Sequence, residues 1–283
     1  MINKITIKRS AKIINNNYVI KKKKKELNST YNYLLSRSFD YFPQVIKEDN
    51  ENIYYKYIND IEEPIEQKIT DLMNLISLLH SKTTFYKEID LNHYKYIYES
   101  INEEIDDVYN YYNILIDNIE TEVYMSPSNY LIARNISVIY EALRYAKNSI
   151  NSWYKMIENT RKARVVTVHN NLSLEHYLKE DKPYLISWDN SMIDMPIYDL
   201  ISLYKKHYLD FEFTNILKIY LNKYPLTEEE MTLFLTIISI PSKIEYQNSE
   251  YKTVLSVRRQ IDYIYKTSDL IKEYRIKKKR DEW

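Results

Sequence analysis

The sequence predicts an α+β chain with a small β-rich N-terminal lobe and a large, mainly helical C-terminal lobe. Three observations carry that expectation. Residues 1–60 hold short apolar runs parted by turn-forming residues, the pattern turns helical after Pro64, and two short apolar runs, 165–168 and 183–187, interrupt the helices. A chain of 283 residues can bury one large core or two lobes, so the expected division is 1–60 and 61–283 within one unit.

Residues 4–25 read as short strands, with Ile5, Ile7, Ile13, Ile14, Val19 and Ile20 flanking three asparagines at 15–17. Asparagine tolerates the left-handed region, so this cluster can turn a hairpin where another protein would use glycine. Residues 26–38 are expected to be helical, and 44–59 to form a second strand pair turning at 48–51. Helices follow over 65–82 and 94–119, where apolar residues recur every three or four positions. Ser126 and Pro127 make a cap and first turn, and the amphipathic run behind them reaches about Glu158. Its stripe of Tyr130, Ile136, Tyr140, Leu143 and Ile150 reads as helix-packing surface. The run 165–168 ends at His169 and the run 183–187 ends before Trp188, with a charged turn at 179–182. Helices are then expected over 196–207, over 210–223, behind Thr227 with Glu228, Glu229 and Glu230 in the first turn, and over 254–279. No internal repeat is present.

Lys plus Arg equals Asp plus Glu at 40 each, so no long-range field draws the chain to nucleic acid or an anionic membrane. The absence of cysteine removes disulfides, thiolate metal sites and cysteine nucleophiles. Five scattered histidines form no H-E-x-x-H pattern, which leaves a zinc hydrolase without support. Residues 1–10 lack the apolar core of a signal peptide and the longest apolar run, 231–240, is too short to span a bilayer. A soluble, cytoplasmic protein is the expectation. The basic run 276–280 reads as a solvated helix end. Tyrosine occurs 31 times amid abundant Ile, Asn and Lys, and glycine not at all, the signature of AT-rich bacterial coding. Without glycine no glycine-rich phosphate loop can form.

Residues 168–178 read V-H-N-N-L-S-L-E-H-Y-L, and residues 184–200 read Y-L-I-S-W-D-N-S-M-I-D-M-P-I-Y-D-L. They resemble the two signature segments of aminoglycoside phosphotransferases, choline kinases and spore-coat kinase-like proteins. Those segments are H-G-D-x-x-x-x-N, and I-D-W or I-D-F followed by D-P-x-x-D-L. With weaker similarity at the N-terminus, the resemblance covers most of the chain. It implies a two-lobed protein-kinase-like fold and, for an active member, ATP and Mg²⁺ as cofactors. The catalytic aspartate of the family falls on Asn171, near His169, and an amide cannot take a hydroxyl proton at neutral pH. The metal-binding asparagine falls on His176, and the principal metal-binding aspartate on Ser187, a neutral hydroxyl ill suited to a hard cation. His169, Trp188, Asp194, Pro196 and Asp199 keep family-like spacing, and Asp199 matches the acid that braces the catalytic loop. Glu175 and Asp189 stand beside the lost ligands, the latter a candidate metal residue, but neighbours in a strand point to opposite faces.

Val19, Ile20 and Lys21 resemble the strand whose lysine contacts nucleotide phosphates, although any lysine of 21–25 could face inward, or the run could be a solvated strand end. The helix that should supply the partner glutamate offers only Glu26. Residues 56–64, K-Y-I-N-D-I-E-E-P, resemble the inter-lobe hinge and so assign Tyr57 and Ile58 to the nucleotide. Residues 78–83, L-L-H-S-K-T, resemble the end of the first C-lobe helix, which makes His80 a packing residue. Three functions are compatible with these residues. One is a catalytically impaired pseudokinase that binds a protein or small-molecule partner. The others are an active phosphotransferase on a small hydroxylated molecule and a structural protein of the spore-coat type.

Overall fold

The computed structural model describes residues 5–8, 11–15, 17–90 and 92–281, and the side chains among them from Ala11 to Arg275. Lys4, the turn residue Asn16, and the side chains of Ile5, Ile7 and the basic run 276–280 lie outside the described residues. The chain forms two compact units. One comprises Met1–Phe85, Arg164–Leu203 and Asn215–Pro225, the other Tyr86–Ala163, Tyr204–Thr214 and Leu226–Trp283.

In chain order the strands and helices are β1 (Ile5–Lys8), β2 (Ala11–Ile14), β3 (Tyr18–Lys22), α1 (Asn28–Ser36), β4 (Val45–Glu48), β5 (Asn52–Lys56), α2 (Ile65–Thr83) and β6 (Phe85–Glu88). They continue with α3 (His93–Glu120), α4 (Pro127–Ile157), β7 (Lys162–Val168), β8 (Tyr177–Lys179), β9 (Pro183–Leu185), β10 (Met192–Asp194), α5 (Ile197–His207), α6 (Phe213–Lys223), α7 (Glu228–Ser239) and α8 (Glu250–Asp281).

In the first unit, five strands form an antiparallel sheet in the order β1-β2-β3-β5-β4. The β2–β3 turn uses the asparagine cluster as expected: Asn15 stands at φ 52° and the Asn17 N–H donates to the Ile14 carbonyl at 3.0 Å. Between β4 and β5 the Asp49 carboxylate accepts the N–H groups of Glu51 and Asn52 at 2.9 and 2.7 Å, an aspartate-built turn. Helix α1 ends on Ser38 at φ 56°, and the N–H of Phe39 returns to the Leu34 carbonyl at 2.9 Å, closing the helix as a glycine ordinarily would. Helix α2 buries Ile69, Leu72, Met73, Ile76 and Leu79, the spacing of one helical face.

The short strands of this unit depart from expectation. Runs 165–168 and 183–187 fall in β7 and β9, which do not pair with each other. β9 pairs with β8, β7 pairs with β10, and neither β8 nor β10 was anticipated.

In the second unit α4 packs against α3, α7 and α8. Its buried face is Ile132, Ile139, Leu143, Ala146, Ile150, Trp153 and Ile157, so Leu143 and Ile150 belong to the packing stripe while Tyr130 stands outside it, 58% exposed. Ser126 caps α4 by accepting the Asn129 N–H at 3.2 Å, with Pro127 in the first turn. Thr227 and Glu230 close a capping box on α7. Helix α8 begins four residues before the expected start, and its Glu250 accepts the Ser128 N–H at 2.6 Å. The tyrosine excess is absorbed by phenols that find carbonyls: Tyr111 donates to Ile244, Tyr112 to Ser242 and Tyr263 to Ile238, at 2.6 to 2.7 Å. No helix among the described residues is long and apolar enough to cross a membrane.

Candidate functional site

The residues singled out in the sequence gather in the first unit, around the segment that follows β7. This strand carries Val165, Val166 and Val168 into the core and stops at His169. Asp199, in the first turn of α5 and fully buried, accepts the backbone N–H of His169 through Oδ2 at 2.9 Å and that of Asn170 through Oδ1 at 2.7 Å. The loop is thereby pinned by two charge-assisted hydrogen bonds. His80 completes the brace: its Nε2 lies 3.1 Å from Asp199 Oδ2 and its Nδ1 lies 2.6 Å from the Tyr220 hydroxyl. Burial pushes the Asp199 carboxyl up, but the hydrogen bond and charge of His80, with the charge and backbone N–H of His169, hold it below its ordinary value. His80 is thus more than packing, and sequence reasoning missed both it and Tyr220. The available signal was a lone histidine set among Leu75, Ile76 and Leu79 on a buried helix face.

Asn170 adopts φ 54°, at the position where the resemblance has glycine; asparagine is the side chain best able to replace glycine there. Asn171 follows, half-buried, and its carbonyl lies 2.7 Å from His176 Nδ1. The His169 Nε2 donates to the Ile186 carbonyl at 2.8 Å, and its ring meets Trp188 edge-on with centroids 5.1 Å apart. Trp188, 1% exposed, donates to the Leu185 carbonyl at 2.8 Å and packs against Phe39 and Phe42. Asp194 ends β10 with its carboxylate on the Met195 N–H at 2.7 Å.

A cavity of about 600 Å³ opens beside this loop. Its apolar lining includes Ile13, Val19, Tyr31, Tyr55, Leu178 and Ile186, and Tyr57 and Ile58 border it where the sequence expects the hinge. Lys21, His176, Ser187 and Glu175 also reach it. Of the lysine run, Lys21 is the one turned inward, and its ammonium is ion-paired with Asp189; both side chains are mostly buried. Lys25 instead donates to the Ser191 carbonyl at 2.6 Å, and Lys23 pairs with Glu26 and Glu48. Glu26 therefore does not reach Lys21, and the cation's partner comes from the far end of the sequence. The phenols of Tyr31 and Tyr55 lie 3.5 Å apart nearby, and burial followed by neighbouring phenol and Asp189 charge raises the Tyr31 pKa. Burial with the Asp189 charge raises that of Tyr55 as well.

Strand alternation does not govern residues 187–190, because Ser187 sits in the left-handed region at φ 69° and Trp188–Asn190 is a single 3₁₀ turn. Ser187 borders the cavity and Asp189 reaches the inward Lys21. Glu175 and His176 likewise share the 3₁₀ turn Leu174–His176, and both border the cavity. Even so, the donors do not suit a magnesium ion. Mg²⁺ takes carboxylate and water oxygens in tight octahedral geometry. Here Asp189 is bound to an ammonium, Glu175 is exposed, the other candidates are an imidazole and a neutral hydroxyl, and no three His, Cys, Asp or Glu side chains come together among the described residues.

No family model matches the sequence and no curated protein matches it. Solved structures do match the fold. An aminoglycoside phosphotransferase from Alicyclobacillus acidocaldarius subsp. acidocaldarius DSM 446 aligns with a TM-score of 0.71 at 7% identity, over 95% of this chain and 92% of that one. A glucosamine kinase in complex with glucosamine, ADP and inorganic phosphate aligns with a TM-score of 0.54 at 11% identity, over 98% and 81%. An AMP-bound spectinomycin phosphotransferase aligns with a TM-score of 0.54 at 13% identity, over 90% of each chain. At these identities the likeness establishes the α+β kinase-like fold, as the sequence predicts.

Proposed function

We propose that this chain is a catalytically impaired kinase-like protein, a pseudokinase that works in the cytoplasm by binding, either a small molecule in its cleft or a protein partner. The observation that carries this reading is the ion pair between Lys21 and Asp189. In a working phosphotransferase of this fold a lysine meets the nucleotide phosphates and a carboxylate holds the metal that bridges them. Here the inward lysine and the inward carboxylate neutralise each other. Asn171 supports the same reading, since its amide can orient a hydroxyl but cannot accept its proton. The solved structures of similar fold that hold ADP or AMP make a nucleotide the first ligand to try.

The test is phosphate transfer from ATP, with Mg²⁺ or Mn²⁺, to a panel of amino sugars, aminocyclitols and amino alcohols. The reading requires turnover indistinguishable from a protein-free blank with every acceptor. Turnover that Asn171→Ala abolishes would overturn it and make the chain an active phosphotransferase.

A further inference from the structure

The charge around the cleft is as informative as its shape. Among the described residues that line the cavity, the charged side chains are Lys21, Lys56, Asp60 and Glu175, and Lys21 is already held by Asp189. Counting the ion-pair partners Asp189 and Lys68, acidic and basic groups balance at three each. Asp60 is also occupied, its carboxylate taking the Lys179 N–H at 2.8 Å and the Lys68 ammonium at 3.4 Å. Lys56 is exposed, and the inward ammonium of Lys21 is already paired, so a polyphosphate reaching it would first have to break an ion pair between two mostly buried side chains. The rest of the wall is aromatic and aliphatic: Tyr31, Tyr55, Tyr57, Val19, Ile58 and Ile186. A volume of about 600 Å³ is that of a pocket for a drug-sized organic molecule.

From this we infer that the cleft takes an uncharged, flat, aromatic ligand of nucleoside size, bound without phosphate and without a divalent cation. The inference rests on the reading of the cleft as a binding site and gives that site its ligand class. Aromatic and branched side chains contact the faces of the ligand, where burial is favourable and no counter-charge is needed. Lys21 stays with Asp189 and contributes the wall, not a phosphate contact. Asp189 thereby acts as a selectivity residue, because it withdraws the one inward ammonium from any anionic ligand.

Isothermal titration of the full chain with adenosine, ADP and ATP, each with and without Mg²⁺, tests this. The expected result is binding of adenosine at least as tight as that of ADP or ATP, with no dependence on Mg²⁺. In Asp189→Asn, whose folding is checked by its melting temperature, Lys21 is released. ADP should then gain affinity over adenosine by roughly tenfold or more, the scale of one hydrogen bond to a charged group. Wild-type protein that binds ATP tenfold more tightly than adenosine, or only with Mg²⁺, would overturn the inference. Failure of all three ligands to bind at millimolar concentration would overturn it too, while leaving the turnover test of the pseudokinase reading untouched.

Discussion

Asn15, Ser38, Asn170 and Ser187 hold left-handed backbone, with φ between 52° and 69°, in a chain that contains no glycine. Each such position carries strain that glycine would relieve, less what glycine loses in the unfolded chain. Ser38→Gly should therefore raise the unfolding free energy by about 0.5–1 kcal/mol, and Ser38→Val should lower it by more, both read from urea unfolding. The Asn15 turn was legible because three asparagines stand together between two apolar runs; Ser38 and Ser187 were not, since serine carries no left-handed preference of its own. Asp199 was legible from its spacing in the second signature segment, whereas His80, its buried partner, was read as packing. The pair has a definite pH signature. The folded pKa of Asp199 lies below its ordinary value of about 3.9, so its contribution is fully present above that value and is lost as pH falls through the lowered one. Asp199→Asn should cost about 1–3 kcal/mol at neutral pH, because the amide offers one oxygen to two backbone N–H donors and leaves a buried donor unsatisfied. Unfolding measured from pH 7 into strong acid should show wild type and variant converging only below the ordinary aspartate range. A gap that stayed constant through that range would mean the charge of Asp199 is not what stabilises the loop.

At the level of elements, the helices were readable, and of the shortest strands only β9 was, as an apolar run. Helices α2, α3 and α4 show a long apolar period or a recognisable cap and end within a residue or two of expectation, and α7 starts behind Thr227 as expected. Strands β8, β9 and β10 have three residues each, too few for alternation to register, and their pairing depends on partners distant in sequence. The same cause hid the placement of Asp189. The left-handed Ser187 and the 3₁₀ turn after it, not a strand, bring Asp189 to Lys21. Caps are where element stability can be tested singly. Thr227 and Glu230 exchange hydrogen bonds at 3.4 and 3.0 Å at the start of α7, so Thr227→Ala should cost about 1 kcal/mol, with Thr227→Ser close to neutral. An alanine variant as stable as wild type in urea would show that tertiary packing, not the capping box, holds that end of α7.

Taken as a whole, the molecule keeps a kinase-like fold, and in its cleft the inward Lys21 is paired with Asp189. Trp188, Asp194 and Asp199 sit in the hydrogen-bonded frame of the loop, and His176 and Ser187 lie on the cavity wall. The claim that the cleft holds no divalent cation is the hinge of this account, and Mn²⁺ tests it without any assumption about an acceptor. The electron paramagnetic resonance signal of Mn²⁺ with ADP should be the same with and without a saturating amount of the protein. A protein-dependent loss of that signal, reversed by Ser187→Ala or His176→Ala, would show a metal–nucleotide site in the cleft and contradict the account.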